Sequence, residues 1–272
     1  MKRVALVTGA SAGIGKSIVQ RLIGDGWLVY GAARRVDAMA DLVAAGARAL
    51  PMDVTDDASL RRAVEALLAA EGRIDALVNN AGYGSYGALE EVPLDEARRQ
   101  FEVNVFGAMR LTQLVLPTMR AQRSGTIVNV TSMGGRIWMP IGGWYHATKH
   151  ALEVLSDALR VEVAPFGVKV VVVQPGSIRS EWGGIAADTL EKTAATSSYA
   201  SLVGPMVTVL RAGKTSSPPE VVADAVSRAL ATSSPRRRYA TPFDAKALIW
   251  LHQWLPDWMW DRFVVRAITS LA

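Results

Sequence analysis

The feature that most constrains this chain is a glycine-rich turn between its first apolar run and its first helical pattern. Residues 4–8 form the apolar run, and Gly9, Gly13 and Gly15 follow in the spacing G-x-x-x-G-x-G. Glycines let the backbone turn sharply and approach an anion, and a helix N-terminus offers that anion free N–H groups. A glycine cluster alone could be only a tight turn. Its place between a strand and a helix predicts a dinucleotide site.

The rest of the chain alternates between short apolar runs and amphipathic stretches. Such alternation is typical of a parallel sheet covered by helices on both faces. Half of the 272 residues are hydrophobic and a fifth are charged, which suits one large α/β domain over residues 1–272. The predicted strands are residues 4–8, 28–32, 47–52, 76–79, 125–130 and 169–174, and the longest predicted helices are residues 57–70, 94–120 and 144–164.

The end of the second predicted strand indicates which dinucleotide binds. An acidic residue there would hold the ribose 2′-hydroxyl of NAD(H), but this strand runs into Arg34 and Arg35. Arginine suits a 2′-phosphate because its planar fork is permanently charged. The sequence therefore favours NADP(H) over NAD(H), although the two arginines could instead begin a solvated helix.

Three polar residues form a candidate catalytic group. Tyr145 and Lys149 are four residues apart in a predicted helix and share one face, and Ser132 follows a strand at its carboxyl end. A lysine cation stabilises a phenolate, so the tyrosine could exchange a proton with an alcohol or carbonyl oxygen that the serine also contacts. Taken singly, the three could be a buried tyrosine, a surface lysine and a strand-end serine. Together they predict hydride-transfer chemistry.

These motifs resemble those of the short-chain dehydrogenase/reductase family. The resemblance runs from residue 2 to about residue 180, and the motifs follow one another in the same order as in the family. The resemblance implies catalytic roles for Asn104, Ser132, Tyr145 and Lys149, with the asparagine holding a proton-relay water. Two positions depart from the family pattern: Ser180 replaces a usual threonine, and Ala12 stands where some NADP(H) enzymes carry a basic residue. The implied cofactor-binding residues are Gly9, Ser11, Gly13, Ile14, Gly15, Arg34, Arg35, Asp53, Val54, Asn80, Ala81, Gly82, Tyr145, Lys149, Pro175, Gly176, Ile178 and Ser180.

The same resemblance implies a single-domain Rossmann fold, with a doubly wound parallel sheet of seven strands, and a homodimer or homotetramer. The tail resembles the hydroxysteroid dehydrogenase-like branch. Apolar side chains near the catalytic group predict an uncharged, bulky, hydrophobic ketone or alcohol as substrate, although several could belong to the core. The candidate substrate wall is Tyr83, Tyr86, Met133, Ile137, Trp138, Met139, Trp144, Trp182 and Met206.

Two segments lie outside the alternating pattern. Residues 180–217 are rich in Ser, Thr, Ala and Gly and predict a mobile substrate lid, after which Pro218 and Pro219 open a helix. Residues 244–270 form an apolar C-terminal extension of two short helices, 245–255 and 258–268, broken at Pro256. Four of the eight tryptophans lie between residues 250 and 260. Packing on the chain's own domain or at a subunit interface ranks ahead of membrane contact for this extension.

Composition excludes several other functions. The chain has no cysteine, which excludes disulfides and thiolate sites and fits a cytoplasmic location. No apolar stretch is long enough to span a membrane. The net charge is +5, but the one basic run, Arg236-Arg237-Arg238, predicts a solvated turn rather than a nucleic-acid site. No metal site is predicted, because His146 and His150 lack the glutamate of an H-E-x-x-H motif.

Two alternatives to an oxidoreductase remain. A non-catalytic NADP(H) sensor or scaffold would share the fold but would not need the Ser-Tyr-Lys-Asn set. Epimerases and dehydratases of related families usually have a different glycine spacing and a longer substrate domain, for which the residues after Gly176 leave little room.

Overall fold

The computed structural model describes residues 2–179, 181–194, 196–211 and 216–270. Its centre is a sheet of seven parallel strands in the order β3-β2-β1-β4-β5-β6-β7. The strands are β1 Val4–Thr8, β2 Leu28–Ala33, β3 Arg48–Pro51, β4 Ala76–Asn79, β5 Gly125–Val130, β6 Val168–Pro175 and β7 Arg238–Thr241. This confirms the predicted α/β Rossmann fold with a doubly wound sheet.

Helices cover both faces of the sheet. The helices are α1 Gly13–Gly24, α2 Ala40–Ala44, α3 Asp57–Glu71, α4 Leu94–Phe101, α5 Gly107–Gln122, α6 Gly143–Val163, α7 Glu181–Ala194, α8 Ala200–Arg211, α9 Glu220–Ala231, α10 Phe243–Trp254 and α11 Asp257–Thr269. Apolar residues of α1, α2 and α9 form one buried cluster with the sheet, and those of α3, α5 and α6 form another on the opposite face. The central strands β1 and β4 are buried along their whole length and are apolar except at their last residues, Thr8 and Asn79, because both of their faces are covered.

The strand order reverses beside β1, and this position creates the functional crevice. The chain leaves β1 toward β2 on one side, whereas β4 lies on the other side. The loops after β1 and β4 therefore separate and open a cleft at the carboxyl ends of the strands. The cleft has a volume of about 1180 Å³.

The C-terminal third contains a second region of packing that the alternating pattern did not predict. Residues 180–217, predicted as a lid, contain the two helices α7 and α8. Their apolar faces pack with α10 and α11 in a third buried cluster, to which Tyr86, Ile137 and Tyr145 also belong. Whether α7 and α8 move as a lid stays a prediction.

One prediction about the basic run is wrong. Arg236 and Arg237 are exposed, as expected for a solvated turn, but Arg238 begins β7. Its guanidinium Nε donates to Oε2 of the buried Glu153 at 2.9 Å, and its Nη2 lies 2.5 Å from Asp157 Oδ2. The third arginine is therefore a structural ion-pair partner. Among the described residues, none of the helices is long and apolar enough to cross a membrane.

Candidate active site

The backbone of the glycine turn after β1 has a conformation and close contacts that leave no room for side chains at its glycines. Gly9 and Gly13 have φ values of +66° and +52°, which favour glycine. A Cβ atom on Gly15 would collide with the Gly9 carbonyl oxygen and with Nδ2 of Asn80. These glycines let the turn pack closely on the end of β4. The first turn of α1 lines the cleft, and its free N–H groups suit a pyrophosphate.

A hydroxyl at the end of β1 joins this turn to the end of β4. Thr8 Oγ1 accepts hydrogen bonds from the backbone N–H groups of Asn80 and Ala81, both at 3.0 Å. The Asn80 side chain donates to the Thr8 carbonyl oxygen at 2.9 Å. These bonds hold both sides of the crevice in register. Ser11, Ile14, Asn80, Ala81 and Gly82 all line the cleft.

One end of the cleft is cationic. Arg34 and Arg35 line it after β2, and Asp53 and Val54 line it after β3. The hydrogen bond from the Thr55 backbone N–H lowers the pKa of Asp53, and the Arg34 and Arg99 cations lower it further. Arg99, on α4, was not predicted from the sequence. Three guanidinium groups therefore line the end of the cleft that would hold the adenosine part of a dinucleotide.

The candidate catalytic group lies at the other end of the cleft. Tyr145 and Lys149 are buried on α6, and the Lys149 ammonium is 6.0 Å from the centre of the Tyr145 ring. The Lys149 ammonium donates to the Val130 carbonyl oxygen at 3.2 Å. Ser132 begins a turn of 3-10 helix, where its hydroxyl accepts a hydrogen bond from the Gly134 N–H at 3.0 Å. The structure thus brings Ser132, Tyr145 and Lys149 together.

Burial controls the protonation of this group. Burial raises the pKa of Tyr145 to about 12, and a hydrogen bond with Ser132 opposes that rise. Burial lowers the pKa of Lys149 to about 8, and the nearby Glu153 carboxylate opposes that fall. At neutral pH the phenol keeps its proton and the lysine is mostly a cation, so the group is prepared to donate a proton.

Asn104 lies in a turn of π-helix, Glu102–Phe106, between α4 and α5. Its Nδ2 donates to the Tyr83 carbonyl oxygen at 2.8 Å and to Thr148 Oγ1 at 3.0 Å, and its Oδ1 accepts from the Tyr83 N–H at 3.0 Å. The Thr148 hydroxyl donates in turn to the Tyr145 carbonyl oxygen at 2.7 Å. Asn104 therefore connects the loop after β4 to the tyrosine helix, and the proton-relay role that the resemblance implies stays a prediction.

The loop after β6 closes the cleft from the side. Pro175, Gly176 and Ile178 line it, as predicted, whereas Ser180 lies outside the described residues. The Asp244 carboxylate accepts a hydrogen bond from the Ser177 N–H at 2.8 Å, and it would collide with any Cβ on Gly176. Asp244, on α10, was not predicted. It holds the loop from a position far along the chain.

The substrate end of the cleft is apolar. Tyr83, Tyr86, Met133, Ile137 and Met139 line it as predicted. Among the described residues, the cations that line the cleft are Lys149 and the three arginines at the opposite end, and neither Arg136 nor Arg179 lines it. This end therefore suits an uncharged group. Val209 and Leu210 of α8 also line it and were not predicted.

Three predicted wall residues are placed differently. Trp138 borders a neighbouring groove, Met206 is in the buried core, and Trp144 lines neither cavity. The side chain of Trp182 lies outside the described residues. Large apolar side chains belong to the core as readily as to a pocket, so composition could not separate these positions.

The histidines show no arrangement for a metal. In the described ranges, no group of three or more His, Cys, Asp and Glu side chains could hold an ion. The Nδ1–H of His146 donates to the Gly134 carbonyl oxygen at 2.9 Å, and burial lowers the pKa of this histidine to about 4. His146 therefore lines the substrate end as a neutral ring, in agreement with its predicted structural or lining role.

Comparison with known proteins agrees with this geometry. Residues 3–189 match the family model described as short chain dehydrogenase. A 3-ketodihydrosphingosine reductase from Bacteroides thetaiotaomicron is 43% identical over 178 residues, but the match spans only 65% of either chain. An NADPH-dependent 3-dehydrocapnine reductase from Ornithobacterium rhinotracheale is 32% identical and covers 99% of this chain and 98% of its own.

Solved structures extend the comparison. A short-chain dehydrogenase from Streptomyces avermitilis has a TM-score of 0.81 at 37% identity, over 99% of this chain and 97% of its own. A short chain dehydrogenase/reductase from Burkholderia phymatum, in complex with NAD, has a TM-score of 0.79 at 27% identity, over 93% of each chain. Similar proteins are thus NADPH-dependent in one case and complexed with NAD in another.

Proposed function

Because this chain belongs to the short-chain dehydrogenase/reductase family, we propose that it uses NADP(H) to interconvert a hydrophobic ketone and its secondary alcohol. One observation carries the proposal. The buried Tyr145 and Lys149, with Ser132, lie where a dinucleotide-sized cleft meets an apolar pocket. Carbonyl reduction requires a proton donor, a cation beside that donor and a pocket for the carbonyl compound, and these three features meet here.

In the reductive direction, NADPH held along the cleft by the glycine turn and by Arg34 would supply a hydride to the carbonyl carbon. The Tyr145 hydroxyl donates its proton to the carbonyl oxygen as negative charge develops there, so the product is a neutral secondary alcohol. Ser132 donates a hydrogen bond to the same oxygen. The Lys149 cation stabilises the resulting phenolate, and Asn104 positions the tyrosine helix through Thr148.

The cationic end of the cleft supports NADP(H) over NAD(H). Arg34 and Arg35 line it with Arg99, and the Arg34 and Arg99 cations lie close enough to Asp53 to lower its pKa. A 2′-phosphate there would meet several permanent cations, whereas a bare ribose hydroxyl would find no acidic residue at the end of β2. The NADPH dependence of the 3-dehydrocapnine reductase is consistent with this proposal.

The apolar end supports a lipid-like ketone. Of the described residues that line this end, Lys149 beside the tyrosine is the one that offers a positive charge to a substrate carboxylate. The two curated relatives are named for the reduction of 3-ketodihydrosphingosine and 3-dehydrocapnine. We therefore propose ketones on long alkyl chains as the substrate class. A cytoplasmic location and a homodimer or homotetramer stay predictions.

The test follows NADPH oxidation with a long-chain aliphatic ketone and with the keto acid of the same chain length. The proposal predicts turnover of the ketone, with kcat/KM for the acid lower by at least about tenfold, since an unpaired buried carboxylate is costly. Tight NADPH binding with no turnover of any ketone would favour the sensor alternative. Equal turnover of the acid would contradict the uncharged substrate class.

A further inference from the structure

The outer face of α10 is aromatic and has no partner within the described chain. Trp250 and Trp254 are 62% and 72% exposed, and Phe243 is more exposed still. These residues are spaced by seven and four, so they align on one side of the helix. The opposite side contains the buried Ala245 and packs on the third core cluster.

The outer face of α11 combines a tryptophan with cations. Trp260, Val264 and Ile268 bury the inner face, so the opposite face presents Trp258, which is 60% exposed, with Arg262 and Arg266. Packing on the chain's own domain or at a subunit interface was predicted for this extension. The packing on its own domain is made by these inner residues and not by Trp250, Trp254 and Trp258.

The charges on these outer faces have one sign. Lys246 lies beside Phe243 and Trp250 on α10, and neither it nor Arg262 or Arg266 forms an ion pair within the part of the chain that the structure describes. The acidic Asp257 and Asp261 are also exposed, but they precede Val264 and Ile268 by seven residues and so lie toward the core side of α11, away from the face of Arg262 and Arg266. The exposed surface thus carries aromatic rings and unpaired cations together.

We propose that the outer faces of α10 and α11 dock on an anionic lipid bilayer surface. Tryptophan and phenylalanine bury their rings at the level of the lipid headgroups, while Lys and Arg at the same depth contact lipid phosphates. Cations near such a surface each add to binding through its negative potential. The docking is monotopic and needs no spanning helix.

A second copy of the chain fits this surface less well. A twofold contact brings the same patch of each subunit together, so the Lys246, Arg262 and Arg266 cations of one subunit would face the like-charged patch of the other. Anionic headgroups instead complement these charges. The choice of the bilayer therefore rests on the sign of the exposed charge.

The docking surface lies beside the substrate end of the cleft. The inner faces of α10 and α11 share a buried cluster with Tyr86 and Tyr145. Trp260 Nε1 donates to the Trp138 carbonyl oxygen at 3.2 Å. Trp138 borders an apolar groove of about 390 Å³, which shares Met139 and His146 with the cleft. The docked protein would present this side to lipid, although the docking itself does not depend on the proposed reaction.

The experiment is co-sedimentation of the full chain with vesicles, without cofactor or substrate. The proposal predicts binding to phosphatidylcholine vesicles that contain about one-quarter phosphatidylserine, and weaker binding to phosphatidylcholine alone or at high salt. Replacement of the three outer tryptophans, Trp250→Ala/Trp254→Ala/Trp258→Ala, should weaken binding at least about tenfold. The control Val43→Ala/Leu94→Ala/Val161→Ala removes exposed apolar side chains elsewhere and should leave binding unchanged.

A charge-reversal pair tests the cationic part. Arg262→Glu/Arg266→Glu should weaken binding to the anionic vesicles by at least about 30-fold, and Arg62→Glu/Arg98→Glu, on α3 and α4, should not. Thermal unfolding and turnover of a water-soluble ketone confirm that each variant is folded. Absence of vesicle binding, or equal loss in the control variants, would overturn the proposal. So would self-association of the native chain that the tryptophan substitutions abolish, which would identify a second copy as the occupant.

Discussion

Tyr145 and Lys149 lie one helical turn apart on α6, and burial shifts their pKa values in opposite directions, to about 12 for the tyrosine and about 8 for the lysine. Removal from water disfavours the phenolate and the ammonium alike. The tyrosine therefore keeps its proton well above neutral pH, while the lysine loses its charge only slightly above it. In this cleft, the lysine titrates first.

The first prediction concerns pH. Because the pKa of Lys149 is lowered to about 8, its cation is present below that pH and is lost as the pH rises through it. We expect kcat/KM for ketone reduction, at saturating NADPH, to be level near neutrality and to fall above about pH 8. If kcat/KM instead stayed level up to the pH range in which tyrosine titrates, the assignment of the fall to Lys149 would be contradicted.

The second prediction concerns Arg34. Its replacement in Arg34→Ala removes a charge-assisted contact with a 2′-phosphate, so the Kd for NADPH should rise about 10- to 100-fold. NADH lacks that phosphate, and its Kd should not change. Fluorescence titration with both cofactors measures the difference, with Arg98→Ala as an exposed control on α4. Equal weakening of both cofactors would show that Arg34 acts on the shape of the site instead.

Among the elements, α6 is fastened to the sheet by one buried carboxylate. Glu153 accepts hydrogen bonds from Thr131 Oγ1 at 2.7 Å, Gln174 Nε2 at 2.9 Å and Arg238 Nε at 2.9 Å. These partners stand just after β5, within β6 and at the start of β7. Since Glu153 follows Lys149 by one helical turn, the same contacts also fix the position of Tyr145 and Lys149 relative to the sheet.

The third prediction tests this fastening. Arg238→Ala would leave the buried Glu153 carboxylate without its cation, and breaking such a pair costs about 3 kcal/mol. The exposed Arg237 provides a matched control, because Arg237→Ala should change stability by less than about 0.5 kcal/mol. Urea unfolding of both variants measures the free energy of unfolding. Equal effects would mean that the ion pair contributes little.

The sequence predicted the elements with strong local signals and missed those without. Strands β1, β2, β4, β5 and β6 are mostly buried and apolar, and the half-exposed β3 follows the same strand-helix alternation, so the pattern identified all six. Strand β7 reads Arg-Tyr-Ala-Thr at the sheet edge, half-buried and joined to a basic run, which resembles a turn. Helices α7 and α8 are rich in small and polar residues and depend on tertiary packing for their stability.

At the scale of the whole molecule, the sequence located the cleft but not all of its lining. The glycine turn, the arginines after β2 and the Tyr-Lys pair each carry their chemistry in a local pattern. Arg99 and Asp244 have no such local pattern, because each acts from a helix distant in sequence: Arg99 lines the cleft, and Asp244 holds the loop after β6 that lines it. The aromatic face of α10 and α11 was similarly hidden, since spacing shows which residues share a face but not which face is buried.

The most direct test of the proposed reaction is Tyr145→Phe. The variant keeps the ring and removes only the hydroxyl that donates the proton. We predict that kcat for ketone reduction falls about 10²- to 10⁴-fold, with NADPH affinity largely retained and the fold unchanged by thermal unfolding. Turnover close to that of the native protein would contradict the central claim, because the proton would then come from another group.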